Sequence, residues 1–307
     1  MHRWLMDGDP AIRWQALRDL TEAPPRAVDA ERSRVATEGW GKALLDRQLP
    51  NGAWAAFDDG WMTSMDALTL LREMGLDSNS SRAQNAIARV RDNMRWEALD
   101  NRPYFEGETE ACINGAILAF GSYFGERCDA IVDRLLSEQL ADGGWNCESP
   151  PSVRSSFNST IRVLEGLNEY ERRWGHTATV AKARLRGQEY LLDRRMFKRL
   201  SDGAVIDQHW TRFAYPTTWH YDILRGLDYL RNAGAEPDER AREAIEIVQA
   251  RRHQNGRWPM NRVHADRIGF SIEPETGRAS RWNTLRATRV LDWYFQRPKR
   301  SVTSSAR

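Results

Sequence analysis

The sequence has little net charge and no long apolar run. Its 45 basic and 43 acidic residues leave a net charge of +2, which gives no indication of a nucleic-acid partner. The longest apolar stretch, Ala116 to Phe120, is far too short to cross a bilayer. Composition therefore predicts no membrane span, although contact with a membrane surface stays open, and it says nothing about oligomeric state.

Cysteine is also scarce. Cys112, Cys128 and Cys147 show neither the paired spacing of a disulfide framework nor that of a zinc finger. No basic-then-apolar segment at the N-terminus suggests a secretory signal. We expect a protein of the reducing cytoplasm.

What the sequence does contain is a recurring string of Asn or Asp, Gly, any residue and Trp. The positions that end its copies, two of them weaker, are Trp54, Tyr104, Trp145, Val205 and Trp258, with spacings of 50, 41, 60 and 53 residues. A period of this size indicates a repeat architecture. Asn-Gly or Asp-Gly favours a tight turn, and the Trp that follows supplies a large surface to clamp the elements that the turn connects.

Apolar residues between these turns follow helical spacing, as at Ala83, Ile87, Val90 and Met94. Each repeat is predicted to hold one charged helix before the turn, at 27–48, 80–96, 128–140, 178–196 and 238–253, and a second helix after it, at 61–74, 109–124, 155–172, 217–232 and 279–296. An N-terminal helix is predicted from Asp9 to Thr21. The sequence thus predicts an all-α protein, an (α/α) toroid or barrel of five to six helical hairpins with inner and outer rings. We expect a single domain over residues 1–296 and a disordered basic tail at 297–307.

Aligning the second helices places a small polar residue at one shared position near each helix start. The set is Asp66, Asn114, Ser159, Asp222 and Asn283; in three copies it opens the strings Ser-Thr-Ile-Arg, Asp-Ile-Leu-Arg and Asn-Thr-Leu-Arg. Such residues cap helices or bond neighbouring helices. Alternatively, they form the rim or floor of a central cavity, where converging helix N-termini would attract anions.

The chain resembles the α/α-toroid superfamily of squalene and terpenoid cyclases and protein prenyltransferase β subunits. Gln48 to Trp54 and Gln139 to Trp145 are similar to the QW motif of the squalene cyclases, and the resemblance extends from about Trp40 to Phe295. It implies the fold more than the reaction. The Asp-x-Asp-Asp acid motif of the protonating cyclases is missing from this sequence.

Two further strings are similar to the zinc-binding segments of prenyltransferase β subunits. Glu110-Ala111-Cys112 resembles their Asp-x-Cys, and Trp219-His220-Tyr221 resembles the context of their zinc-binding His. The resemblance implies a zinc site at Glu110, Cys112 and His220, with thiolate and imidazole as ligands. The alternative is that Cys112 is a small buried hydrophobic residue and that no cofactor is bound.

Among the remaining candidates, His220 and Asp222 are the residues best suited to acid/base catalysis. His220 could act as acid or base with Asp222, Asp66 or Glu110 as a second group, or it could pack among its aromatic neighbours. The predicted catalytic residues are His220, Asp222 and Asp66. The predicted substrate-binding residues are Trp61, Asn114, Ser159, Tyr215, Trp219, Tyr221, Arg281, Trp282 and Asn283; the aromatic ones could stabilise a cation or stack on a sugar, and the arginine could bind a carboxylate or phosphate.

Three functions compete. The first is a terpenoid-cyclase-like enzyme that acts on an apolar or isoprenoid-like small molecule by acid/base cyclisation or isomerisation. The second is an α/α-barrel carbohydrate lyase or glycosidase, which would need paired carboxylates. The third is a toroid that binds a ligand or protein without chemistry. Fold alone does not choose among them.

Overall fold

The computed structural model of the chain describes residues 1–55, 60–264, 268–273 and 275–296. Over these residues the chain is built from α-helices, with short 3-10 helices and two-residue strands in the connections. The predicted all-α toroid, with an inner and an outer ring of helices, is confirmed. The predicted basic tail at 297–307 lies outside the described residues.

Six helices form the inner ring. They are α2 (Pro10–Leu20), α5 (Gly60–Glu73), α7 (Ala111–Phe124), α9 (Phe157–Trp174), α11 (Ile223–Asn232) and α13 (Arg281–Tyr294). Helix α7 is buried on nearly every face, and it packs closely along α9 because small residues meet at the crossing. A β-carbon on Gly115 would come within 2.6 Å of the α9 backbone.

The outer helices bury a single stripe. They are α3 (Pro25–Ser33), α4 (Gly39–Leu45), α6 (Ser81–Asn93), α8 (Asp129–Ser137), α10 (Ala178–Asp193) and α12 (Arg242–Ala250), and a short α1 (His2–Met6) precedes them. On α6 the stripe consists of Ala83, Ala86, Ile87 and Val90, as the helical spacing predicts. Within the part of the chain that the structure describes, every helix is too short or too polar to cross a bilayer.

The connections differ from the prediction in three places. The predicted helix at 217–232 begins only at Ile223, because Asp222 caps it and the preceding residues form a loop. The predicted helix at 27–48 is divided into α3 and α4, and Gly39 at the break has a left-handed φ of +61°. Two antiparallel strand pairs also form, β1 (Arg95–Trp96) with β2 (Arg102–Pro103) and β3 (Trp258–Pro259) with β4 (Ala279–Ser280).

Side-chain hydrogen bonds close the ring at α2. The indole of Trp14 donates to the main-chain carbonyl of Met74, at the end of α5, over 2.7 Å. On the other side of α2, Arg289 of α13 donates to the amide oxygen of Gln15 over 2.8 Å. The first and last inner helices are therefore joined, and the N-terminal helix completes the sixth position of the ring.

Each strong copy of the repeated string is a clasp with the same bonds. The indole N–H of Trp54, Trp145 and Trp258 donates to the carbonyl ten residues earlier over 2.8, 2.7 and 2.7 Å. The main-chain N–H of the same Trp donates to the hydroxyl of Ser64, Thr160 or Thr284 in the next inner helix over 3.2, 3.0 and 3.0 Å. One Trp thereby fixes an outer helix to the inner helix that follows.

The glutamines of the two QW-like copies extend the clasp to the next outer helix. Gln139 donates to the carbonyl of Gly143 over 2.7 Å and to that of Ala183, in α10, over 2.8 Å. Gln48 makes the equivalent pair of bonds, to Gly52 and to Ala86 in α6. The turn glycines have left-handed φ values, as the string predicts, for example +97° at Gly143.

We expect Trp145→Phe to lower the free energy of unfolding by about 2 kcal/mol or more, because it removes a buried hydrogen bond and leaves a void. Trp219→Phe is the matched control, since Trp219 is 49% exposed, and it should change stability by less than about 0.5 kcal/mol. Urea denaturation followed by circular dichroism measures both. Equal losses in the two variants would contradict the clasp.

Candidate functional site

A cavity of about 280 Å³ lies at the centre of the ring, and residues of all six inner helices line it. Most of these residues lie three or more positions beyond the polar residue that the repeats share. The cavity therefore sits deeper along the inner helices than the predicted rim.

Charged side chains dominate the lining. Seven arginines and four carboxylates contribute to it, namely Arg18, Arg32, Arg72, Arg172, Arg225, Arg286 and Arg289 with Glu73, Glu165, Glu169 and Asp228. The predicted binding residues include five aromatic residues and a single arginine, so this lining is more highly charged than the prediction. Asp19, just outside the lining, pairs with Arg18 and Arg289, and among the described residues the guanidinium groups still outnumber the carboxylates.

Arg225 and Glu165 form the best-defined ion pair of the lining. The Nε and Nη2 atoms of Arg225 donate to the two carboxylate oxygens of Glu165 over 2.8 and 2.7 Å. Burial by itself raises the pKa of Glu165. The charges of nearby arginines, Arg225 foremost, lower it by more, so the pKa of Glu165 lies below its usual value. The remaining Arg225 nitrogen donates to the carbonyls of Thr218 and His220, so this pair also holds the loop before α11.

Asp228 is the second carboxylate that arginines neutralise. Arg289 and Arg231 each donate to it over 3.1 Å. Burial raises the pKa of Asp228, yet the charges of Arg289, Arg231 and Arg286 outweigh burial and lower it overall. With lowered pKa values, Glu165 and Asp228 are poor proton donors, whereas the general acid of a glycosidase needs a raised pKa.

Two arginines of the lining bond mainly to neutral groups. Arg286 donates to a main-chain carbonyl over 3.2 Å and lies 3.8 Å from the carboxylate of Asp228, which two other arginines already contact. Arg32 donates to a main-chain carbonyl and to the hydroxyl of Tyr123 over 2.8 and 2.9 Å. The charge of Arg286 also acts on buried Asp222, so Arg286 is only partly neutralised, and the hydrogen bonds that Arg32 makes within the described residues all go to neutral groups.

An aromatic pair supplies the apolar part of the lining. Tyr215 and Trp282, both predicted binding residues, stack with ring centroids 4.3 Å apart. Among the described residues, the indole N–H of Trp282 and the Nε atoms of Arg72 and Arg289 are buried without a hydrogen-bond partner. Buried donors without acceptors are costly and call for an explanation, such as a water molecule or a ligand.

At the shared polar position, Asp222 and Asn283 tie loops to the inner helices. Asp222 accepts from the main-chain N–H of Arg225 over 2.8 Å, as a helix cap, and from that of Ala214 over 3.3 Å. Burial raises the pKa of Asp222. Asn283 donates to the carbonyl of Phe213 over 3.2 Å. Both side chains lie outside the lining of the central cavity, and their predicted functional roles stay predictions.

Asn114 and Ser159 do the same for earlier repeats. Asn114 exchanges two hydrogen bonds of 2.8 Å with the main chain of Glu108. Ser159 accepts from the main-chain N–H of Cys147 and donates to its sulfur, each over 3.2 Å. The polar residue of each of these repeats therefore anchors the segment that leads into its own helix.

Asp66 lies beside a small void of about 20 Å³ that Thr69, Leu70 and Thr218 help to line. The void is separate from the central cavity and has room for no more than about one water molecule. The charge of Asp66 acts on buried neighbours; together with burial it raises the pKa of Tyr104. The predicted catalytic role of Asp66 stays a prediction.

His220 lies in a stack of three rings. Its ring centroid is 3.9 Å from that of Trp219 and 3.6 Å from that of His264. Its Nδ1 atom is 2.9 Å from the hydroxyl of Thr218. Burial, with Arg262 as the next cause, lowers the pKa of His220 to about 4, so the ring is neutral at physiological pH.

Four other predicted binding residues lie away from the central cavity. Trp219 is exposed beside His220, and Tyr221 is buried, with its hydroxyl bonded to a main-chain carbonyl over 2.7 Å. Trp61 packs against a second indole at 5.3 Å between ring centroids. Arg281 lies over the indole of Trp4 at 4.6 Å.

The predicted zinc ligands do not come together as one group. Among the described residues, the potential ligand atoms that gather are those of Glu110, Cys112 and Cys147, within 4.8 Å of one another. His220 is not in this group. Because a structural zinc site needs four ligands, three side chains without a histidine fall short of a complete set, and zinc binding stays a prediction.

Sequence reasoning missed the arginines that follow the shared polar position. Arg162, Arg225 and Arg286 are each the fourth residue of the strings Ser-Thr-Ile-Arg, Asp-Ile-Leu-Arg and Asn-Thr-Leu-Arg, and all three are buried. An arginine that recurs in register on an otherwise apolar inner helix indicates a charged interior. The fourth residue of each string therefore already indicated a charged interior, whereas the prediction used the first residue.

The stacked histidines predict how stability depends on pH. Burial lowers the pKa values of His220 and His264 to about 4, whereas an unfolded chain protonates histidine near 6.5. Between these values the unfolded state binds more protons, so the free energy of unfolding should fall as the pH drops from about 6.5 towards 4. Urea denaturation across this range should show a weaker dependence in His220→Gln/His264→Gln. Exposed His253→Gln is the control, and equal slopes in all three proteins would contradict the prediction.

Comparison with known protein families finds none that matches the chain, and comparison with curated protein sequences finds no relative. Solved structures do resemble it. A protein from Actinoplanes is 17% identical, with a TM-score of 0.48 over 93% of this chain and 89% of its own. The type II terpene cyclase MstE from Scytonema is 18% identical, with a TM-score of 0.46 over 92% and 86%. A variant of MstE with its substrate, geranylgeranyl dihydroxybenzoate, has a TM-score of 0.45 at 16% identity over 94% and 87%. At these values neither ligand nor reaction transfers to this chain.

Proposed function

We propose that the protein binds a small anionic molecule in the central cavity of the toroid. The observation that carries this proposal is that the described lining holds seven arginines but only four carboxylates. Guanidinium groups bind carboxylates and phosphates with paired hydrogen bonds, and they do so more strongly where water is excluded. A ligand that brings negative charge would offset the cost of holding these cations together.

The ion pairs indicate which arginines hold the ligand. Arg225 and Arg289 are committed to Glu165 and Asp228, whereas Arg286 and Arg32 bond mainly to neutral groups. We therefore assign Arg286 and Arg32 to the anionic group, with the Tyr215 and Trp282 rings against the rest of the ligand. An anion with a small flat or apolar body fits such a lining better than a bare hydrocarbon chain does.

Arg286→Met tests this assignment. In this variant Asp228 keeps Arg289 and Arg231. Buried Asp222 loses the charge of Arg286 but keeps two main-chain N–H donors. Circular dichroism should therefore first show that the variant is folded.

Phosphate, diphosphate and citrate are titrated into the protein by calorimetry. We expect the wild type to bind at least one of them. Arg286→Met and Arg32→Met should each bind that ligand at least tenfold more weakly, a loss of about 1.4 kcal/mol. Affinity should also fall as salt is added.

Arg134→Met is the control for this experiment. Arg134 carries the same charge but lies on the outer helix α8, paired with Glu138. It should leave anion affinity unchanged. Binding of a neutral isoprenoid alcohol or an oligosaccharide, with no response to any anion, would overturn the proposal and favour the cyclase-like or carbohydrate alternatives.

A further inference from the structure

A thiol pair lies outside the central cavity, between the first turns of α7 and α9. Cys112 belongs to the first turn of α7, and Cys147 to the loop that leads into α9. Their sulfur atoms lie within 4.8 Å of one another, with a carboxylate oxygen of Glu110 in the same group. The ion pairs of the cavity do not involve these residues, so their chemistry is independent of the anion site.

Hydrogen-bond donors converge on the sulfur of Cys147. The main-chain N–H of Cys112 and the hydroxyl of Ser159 each donate to it over 3.2 Å. The N–H belongs to the first turn of α7, where helix N–H groups have no partner within the helix and the local potential is positive. A sulfur that receives such bonds is favoured as the thiolate, which is the reactive form of cysteine.

A buried cation stands next to the pair. Arg162 is 2% exposed, and its Nε and Nη2 atoms have no acceptor among the described residues. Its charge acts on Cys112 and opposes the other influences, chiefly the bond to Cys147 and burial, that raise the pKa of that thiol. The charges of Asp66 and Glu165 also act on Arg162, and the remaining positive charge favours the thiolate form of Cys112.

Cys128 is the contrast within the same chain. Its thiol is buried and donates to a main-chain carbonyl over 3.7 Å, and burial raises its pKa to about 12.

Cys147 can be reached from outside. It lines a surface cleft of about 280 Å³, together with Ser137, Leu140 and Pro150. Both Cys112 and Cys147 are partly exposed, whereas Cys128 is buried. A small molecule in the cleft can therefore approach Cys147, whereas Cys112 is not among the described residues that line the cleft.

We propose that Cys147 and Cys112 form a redox-active dithiol site that reacts with small disulfides, with Cys147 as the attacking thiolate and Cys112 as the resolving thiol. Cys147 attacks one sulfur of the disulfide, whose S–S bond breaks and expels a thiolate. Cys112 then transfers its proton to that thiolate and attacks the Cys147 sulfur, which releases the second thiolate. The protein dithiol loses two electrons, and the small disulfide is reduced to a thiol and a thiolate. The two sulfurs must close to about 2.05 Å, which movement of the Cys147 loop can supply.

Alkylation by iodoacetamide tests the nucleophile in the full-length chain, with a chelator present so that no metal masks the sulfurs. Peptide mass spectrometry should find Cys147 modified at least tenfold faster than Cys128, with a rate midpoint below the value of about 8.5 for a free thiol. In Cys112→Ala, Cys147 should remain alkylated faster than Cys128, because the variant keeps the main-chain N–H and the Ser159 hydroxyl that donate to the Cys147 sulfur. A Cys147 rate equal to that of Cys128, or a midpoint at or above 8.5, would overturn the proposal.

Incubation with glutathione disulfide tests the second step. Wild type should yield peptides cross-linked between Cys112 and Cys147 that reductant separates, and Cys112→Ala should stop at a mixed disulfide on Cys147. Cys128→Ser should behave as wild type. A persistent mixed disulfide in wild type, or no thiol chemistry at Cys147, would show that the pair does not act as a dithiol site. Circular dichroism confirms that each variant is folded.

Discussion

The hydrogen bonds of the tryptophan clasps are the constraint on which the rest of the structure depends. Each clasp bonds one Trp to the carbonyl ten residues earlier and to a hydroxyl in the next inner helix, as Trp145 does with Leu135 and Thr160. Those bonds fix the height and rotation of the inner helix relative to its outer partner. Since the same bonds recur at Trp54 and Trp258, equivalent positions of different inner helices face the interior together.

The shared register has an electrostatic consequence. It brings arginines of successive helices into the ring, and buried guanidinium groups are tolerated only when they are paired and hydrogen-bonded. The neighbouring helices supply the partners: Glu165 of α9 receives Arg225 of α11, and Asp228 of α11 receives Arg289 of α13. The ion pairs therefore run from helix to helix around this part of the ring, and they keep its interior polar.

The fold could be predicted from the sequence because its signals are local. A turn glycine, a Trp and a helical stripe each act within about a dozen residues, and the repeat multiplies the same signal along the chain. The cavity could not be predicted in the same way. Whether Arg286 meets a carboxylate or a carbonyl depends on residues more than fifty positions away, and the loop before α11 has no helical pattern to place it. The residue types of His220 and Asp222 suit acid/base chemistry, but in the structure His220 stacks on His264 and Asp222 caps α11.

Three arginines in one register meet three different surroundings, and these differences create the two candidate sites. Arg225 forms a bidentate ion pair with Glu165, so its role is structural. Arg286 donates to a carbonyl and shares the carboxylates of Asp228 and Asp222 with other donors, so part of its charge is available to a ligand. Among the described residues, Arg162 donates to the Met65 sulfur, because the preceding helix α7 offers apolar residues where the others offer carboxylates. The charges of Asp66 and Glu165 also act on Arg162. A buried cation favours anions nearby, and the charge of Arg162 acts to lower the pKa of the Cys112 thiol. An irregularity in the repeat, rather than the repeat itself, thus places positive charge beside one of the two sulfur atoms.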